Sequence, residues 1–192
     1  MRSTDRFSDV LDAARGGEEW AITALWRTYQ PALLRYLRSS CGGAAEDVAS
    51  EVWLSIGGKL SKFKGEEPEF RAWLFTLARR RTIDQHRRTA RAPLPVAELP
   101  EAAIDQLDAE VERRQALDEA LRLLERLSQD QREVLLLRVV AGLEVDQVAE
   151  MMGKRPGTVR VLHHRALKQL ANCGVTPGTD RTVSQGEDAI AA

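Results

Sequence analysis

The sequence predicts an all-α fold: two small helical domains joined by a flexible acidic linker, the C-terminal one containing a helix-turn-helix. Three observations predict it. Apolar residues recur at helical spacing, and no stretch alternates as a strand would. One proline-containing acidic stretch, residues 92–112, interrupts that periodicity. Near the end, Gly153 and Pro156 separate two short apolar-faced segments at the interval of a helix-turn-helix. With 192 residues and 43% hydrophobic content, the chain can bury two modest cores.

The N-terminal domain, residues 1–91, reads as four helices, at about 6 to 16, 18 to 39, 44 to 60 and 68 to 90. Gly16-Gly17, Gly42-Gly43 and Gly65-Glu66-Glu67-Pro68 supply the reversals between them. Ala21, Leu25, Tyr29, Ala32, Leu33, Tyr36 and Leu37 give the second helix a broad apolar face, and the fourth begins by burying Phe70, Trp73, Leu74 and Leu77. Pro93, Pro95 and Pro100 then break regular structure, so residues 92–112 form the linker.

Residues 113–173 form the second domain. Its first helix carries Ala116, Leu117, Leu121, Leu124 and Leu127, and its second Val134, Leu135, Leu137 and Val139. The helix-turn-helix follows: Val145, Val148, Ala149 and Met152 face inward before the Gly153 stop, and Pro156 opens the next helix where a missing N–H costs least. In that last helix Val159, Leu162, Ala166 and Leu170 turn to the core, leaving Thr158, Val161, Arg165 and Lys168 outward with Arg160 and His164 flanking. Residues 174–192 carry too little apolar surface to offset ordering entropy and are expected to be a disordered tail.

Net charge is only -1, but the charges are segregated. Arg71, Arg79, Arg80, Arg81, Arg87, Arg88 and Arg91 face Asp84 as the single acid in their stretch, so i±4 salt bridges do not account for them. Lys154, Arg155, Arg160, Arg165 and Lys168 form a second basic group, and the linker between the two groups holds Glu98, Glu101, Asp105, Asp108, Glu110 and Glu112 with no Lys or Arg. Two cationic surfaces on one strap point to two nucleic-acid contacts.

Against these stand plainer readings: a helix-turn-helix pattern can be two packed helices, and a run of arginines a solvated face. Trp20, Trp26, Trp53 and Trp73 read as core or partner anchors rather than base-stacking platforms. Neighbouring His163 and His164 diverge by about 100° on a helix, so they make no metal site. Cys41 and Cys173 lack zinc or disulfide spacing and read as plain thiols. No nucleophile elbow or phosphate loop is visible, so neither an enzyme nor a cofactor is expected. No apolar run approaches the roughly 18 residues of a membrane span, and the N-terminus lacks the order of a secretory signal, so the expectation is cytoplasmic with no membrane contact.

Several ordered motifs resemble one family. Ala45-Glu46-Asp47-Val48-Ala49-Ser50-Glu51-Val52-Trp53-Leu54 is similar to A-E-D-x-x-Q-E-x-F/W-L, and Phe63-Lys64-Gly65 through Phe70-Arg71-Ala72-Trp73-Leu74 to F-R-G-x-x-x-F-R-A-W-L. Ala78-Arg79-Arg80-Arg81-Thr82-Ile83-Asp84 resembles A-R-N-x-x-I-D, and Leu127-Ser128-Gln129-Asp130-Gln131-Arg132-Glu133-Val134-Leu135-Leu136-Leu137-Arg138 resembles L-P-x-x-Q-R-E-V-L-L-L-R. These are motifs of RNA polymerase sigma factors of the extracytoplasmic function (ECF) group. The chain departs from them at Ser50, Arg80 and Val161, so a generic member's promoter sequence does not transfer.

The resemblance implies a factor that binds RNA polymerase core, at its clamp and flap regions, and promoter DNA, both duplex and melted. It assigns core binding to Glu46, Asp47, Ser50, Glu51 and Trp53. Minus-ten recognition falls to Lys64, Gly65, Glu66, Glu67, Arg79, Arg80, Arg87 and Arg88, with the loop from Lys64 to Glu69 trapping an unstacked base. Minus-thirty-five recognition falls to Arg155, Thr158, Arg160, Val161, His164, Arg165 and Lys168. The linker resembles the family's connector, which runs near the RNA-exit path. An anti-sigma factor is a candidate partner, as is a ClpXP-type protease reading the apolar end at Ala191 and Ala192. The competing function is a stand-alone helix-turn-helix regulator, which would bind its operator without polymerase.

Overall fold

Helix α1 (Ser3–Arg15) ends where Gly17 turns the chain at φ 86°, and α2 (Glu19–Cys41) runs back across it. The computed structural model describes residues 3–91, 120 and 122–172. The acidic linker, the tail, Cys173 and the Ala191-Ala192 end lie outside them.

In α2 Ala21, Leu25, Tyr29, Leu33, Tyr36 and Leu37 are buried, the stripe that the spacing predicts. Pro31 sits inside this helix without ending it. A 3₁₀ turn at Gly42–Ala44 leads to α3 (Ala45–Gly57), which buries Ala45, Val48, Ala49, Val52 and Ile56. The expected helix to residue 60 stops three residues short; Leu60–Lys62 instead form a 3₁₀ turn that buries Leu60. The long α4 (Glu67–Arg91) buries Phe70, Leu74, Phe75 and Ala78 against the first three helices.

In the second half, helical residues 122–125 precede α5 (Gln129–Leu135), which starts at a capping box: Ser128 accepts from the Gln131 N–H while Gln131 accepts from the Ser128 N–H. Helix α5 widens into a π-helical turn over Leu136–Val140, and Gly142 at φ 65° ends it. This turn alters the expected apolar face. Leu136 and Leu137 are buried, but Val139 is 62% exposed, because a π turn shifts the angular order of the residues it holds. Then come α6 (Val145–Met152) and α7 (Pro156–Ala171), separated by Gly153 in the left-handed conformation that an L side chain disfavours.

The two halves do not keep separate interiors. Leu33, Leu37 and Phe75 belong to the same buried cluster as Val134, Leu137, Leu143, Val148 and Val159. A smaller cluster, Leu127, Leu135 and Ala166, lies on the far side of α5. No strand occurs among the described residues. None of their helices is long and apolar enough to cross a membrane.

Candidate nucleic-acid interface

Helix α7 sorts its residues into two faces. Val159 and Ala166 are fully buried, with Leu162 and Leu170 packed beside them. Arg155, Thr158, Arg160, Val161, His164, Arg165 and Lys168 are all exposed. The sorting follows from the helical repeat, since the inward residues are spaced by three or four. Lys154 is held apart from them in an ion pair with Asp130 at 2.9 Å. His163 is half-buried, its Nε2 without a hydrogen-bond partner among the described residues. Burial, then the positive Arg138 and His164 beside it, hold its pKa below the ordinary 6.5.

The loop before α4 rests on an aromatic cluster. Phe63 stacks on Trp73 at 4.9 Å and meets Phe70 edge-on at 5.7 Å. Gly65 is required here: at φ 148° a Cβ would meet Glu69 Cβ at 2.9 Å and the Phe63 ring at 3.1 Å. Lys64 and Glu66 are exposed. Glu67 is already engaged, accepting from the Tyr29 hydroxyl at 3.2 Å and from Arg71 at 2.9 Å, while Glu69 accepts from the Glu66 N–H at 3.0 Å. Glu66 has no partner for its carboxylate among the described residues, and Glu69 carries only that one bond.

The arginine stretch of α4 is more heavily paired than its own sequence suggests. For three of them the acid comes from another element: Arg79 donates to Glu133 of α5 at 2.5 Å, and Glu51 of α3 faces both Arg81 at 3.5 Å and Arg88 at 3.6 Å. Within α4, Arg71 pairs with Glu67 and Arg87 with Asp84 at 3.8 Å. Counting i±4 neighbours misses partners that only folding brings near. Arg80 has no ion pair among the described residues and is exposed.

On α3, Asp47, Ser50 and Leu54 share one exposed face, and Leu54 is 78% exposed. Leu54 was not singled out from sequence, although its position seven residues after Asp47 puts it on that face. Glu46 pairs with Arg38 at 2.8 Å, which holds its carboxyl below the usual range, and Trp53 donates to Gln30 at 2.7 Å. The tryptophans divide: Trp20 and Trp26 stand 57% and 45% exposed, whereas Trp73 is half-buried in the aromatic cluster. Cys41 is a free thiol bonded to the Leu37 carbonyl at 3.2 Å, and burial pushes its pKa up. Among the described residues no group of three or more His, Cys, Asp or Glu could hold a metal.

Two family models match in chain order: Sigma-70 region 2 over residues 25–92 and Sigma-70, region 4 over residues 117–170. The ECF RNA polymerase sigma factor SigD of Mycobacterium tuberculosis is 33% identical over 186 residues, covering 91% of this chain and 86% of SigD. ShbA, an ECF sigma factor of Streptomyces griseus, is 35% identical over 174 residues, covering 84% of this chain and 91% of ShbA. Among solved structures, CnrH in complex with the cytosolic domain of CnrY superposes with a TM-score of 0.63 at 21% identity, over 87% of this chain and 96% of CnrH. RpoE of Bartonella quintana, in complex with the anti-sigma factor NepR, gives 0.58 at 24% identity, over 78% and 94%. These two show the fold. With both sigma-70 regions in order and curated relatives matched along most of its length, the chain belongs to the ECF sigma factors of RNA polymerase.

Proposed function

We propose that this sigma factor reads the minus-thirty-five duplex with the outer face of α7 and holds the melted minus-ten strand with the 64–67 loop and α4. The observation that carries the reading is the seven-residue exposed face of α7, opposite buried Val159 and Ala166. Arg160 and Arg165 meet guanine edges, Val161 a thymine methyl, and Arg155, Thr158, His164 and Lys168 the groove rim and phosphates. In the first domain Arg80, Arg87 and Arg88 hold phosphates, Lys64, Gly65 and Glu66 line the base trap, and Arg79 joins them once released from Glu133.

The α3 face formed by Asp47, Ser50 and Leu54, flanked by Glu46, Glu51 and Trp53, docks on the polymerase clamp. Both domain matches favour this over a stand-alone regulator. An anti-sigma partner is proposed by analogy with CnrH and RpoE, which were solved with CnrY and NepR. Division into residues 1–91, 92–112 and 113–173 remains the proposed domain plan.

Run-off transcription with purified polymerase core on a genomic promoter library tests the reading. Enriched start sites sharing two spaced elements support it. Tight duplex binding by the chain alone, with no transcription when core is added, overturns it.

A further inference from the structure

Apart from both proposed DNA surfaces, the N-terminal helices leave a cavity of about 360 Å³ where α1, α2, α3 and the Leu60–Lys62 turn meet. It has two aromatic walls. Trp26 of α2, 45% exposed, and Trp53 of α3 both line it, and buried Leu25, Ile56 and Leu60 add apolar lining. The Trp53 N–H is already given to Gln30 at 2.7 Å, which leaves its ring for apolar contact. Arg15, at the end of α1, is the single charged residue in the lining. Its Nη1 pairs with Asp12 at 2.6 Å and its Nη2 donates to the Phe63 carbonyl at 2.7 Å, but its Nε is buried without a partner among the described residues. A buried donor left without an acceptor costs free energy that a ligand oxygen can recover. Asp12 is 66% exposed, so its pairing is weak and leaves Arg15 able to take a second carboxylate.

We propose that this cavity binds a small aromatic carboxylate, its rings against Trp26 and Trp53 and its carboxylate on Arg15. Volume sets the size. Small-molecule sites run from roughly 300 to 1,000 Å³, and this one lies near the lower end, which suits one or two fused rings rather than a long acyl chain. The paired indoles favour an aromatic body, since offset or edge-on ring contacts add to the gain from burial alone. Charge sets the head group: the lining holds one cation and no acid, with the Thr23 and Ser61 hydroxyls as its other polar side chains. Presenting the Arg15 Nε to the ligand takes a rotamer adjustment of the kind common on binding. Trp53 belongs both to this wall and to the flank of the face proposed to dock on the clamp, and Ile56 and Gly57 carry the wall to the end of α3. Occupancy therefore hinders core docking, a consequence that rests on the clamp reading of α3.

The test uses the full chain with 1-naphthoate as probe, read by calorimetry and by the tryptophan indole N–H resonances. The Trp26 and Trp53 signals should shift on titration while that of Trp73, outside the lining, stays in place. 1-Naphthalenemethanol, with the same rings and no charge, should bind about tenfold more weakly. Gly57→Leu places a side chain where nothing stands within 4 Å of the new Cβ and no positive φ opposes it, so it should fill the cavity and abolish binding of both compounds with helicity retained. Arg15→Gln should bring naphthoate down to the affinity of the alcohol and leave the alcohol unchanged. No shift at Trp26 and Trp53, or equal binding of acid and alcohol by the parent, overturns the proposal. So does undiminished naphthoate binding by Gly57→Leu, which would place the probe elsewhere. Saturating naphthoate should also raise the core concentration needed for half-maximal run-off transcription in the parent but not in Gly57→Leu. Bound probe without that rise overturns the link to docking, whereas core binding unimpaired by Leu54→Glu would sink the clamp reading and leave the cavity assignment standing.

Discussion

Arg165 and Lys168 lie one helical turn apart on the open face of α7, yet they predict different signatures. A guanidinium can bind a guanine edge through two parallel hydrogen bonds, whereas an ammonium acts on phosphates as a point charge. Arg165→Ala should therefore cost about 1–3 kcal/mol on the cognate minus-thirty-five duplex and little on a scrambled one. Lys168→Ala should weaken both alike and reduce the slope of log affinity against log salt by about 1. Salt titrations of holoenzyme on the two duplexes check this, and equal losses for Arg165→Ala on both would move that residue to the backbone. His163 makes a second residue-scale prediction. Its folded-state pKa is held below 6.5 by burial, then by Arg138 and His164, so the unfolded chain takes up the proton first as pH falls. Stability should decline as pH drops below 6.5 and level off once the folded-state pKa is passed. Melting temperatures at pH 7.5 and 5.5 should differ less in His163→Gln than in the parent.

At the scale of elements, the loop before α4 depends on one backbone conformation. Gly65→Ala places a methyl group 2.9 Å from Glu69 Cβ at a φ that L residues avoid, and should destabilise the fold by about 1–3 kcal/mol. Gly57, at the end of α3, has nothing within 4 Å of where a methyl group would stand and no positive φ, so Gly57→Ala should be neutral or stabilising by up to about 1 kcal/mol. Denaturant midpoints of the two variants check the contrast. The same distinction shows what the sequence could disclose. Helical period and glycine stops placed α2, α6 and α7 closely, because each buries a stripe repeating every three or four residues and its ends are set by local chemistry. The π turn was not legible, since Leu136 to Val140 carry the same apolar letters in either helix type. Neither were the partners of Arg79, Arg81 and Arg88, because Glu133 and Glu51 lie far from them in sequence and become neighbours only through tertiary packing. The α7 face was legible in full, its exposure being fixed by the period of the helix that carries it.

Across the whole molecule, the decisive property is the buried cluster shared by both halves. If Leu137, fully buried within it, supports α2 and α4 as well as its own domain, then damage at Leu137 must be felt in the N-terminal helices. The chain carries its own reporter: Trp20, Trp26, Trp53 and Trp73 all lie before residue 92, so tryptophan fluorescence reports from the first domain, with Trp73 also lining a cleft against Gln147 and Glu150. Leu137→Ala should cost about 2–5 kcal/mol, the range for deleting a buried leucine side chain. In a chain unfolding as one unit, the fluorescence and circular dichroism midpoints should fall together in urea, despite the substitution sitting far along the chain from every tryptophan. A fluorescence midpoint that stays in place while the circular dichroism transition broadens or splits would mean that the halves unfold independently. The cluster would then add little coupling between them, leaving the Arg79–Glu133 ion pair and the Gln147 hydrogen bond to the Pro68 carbonyl to join α4 to the second domain.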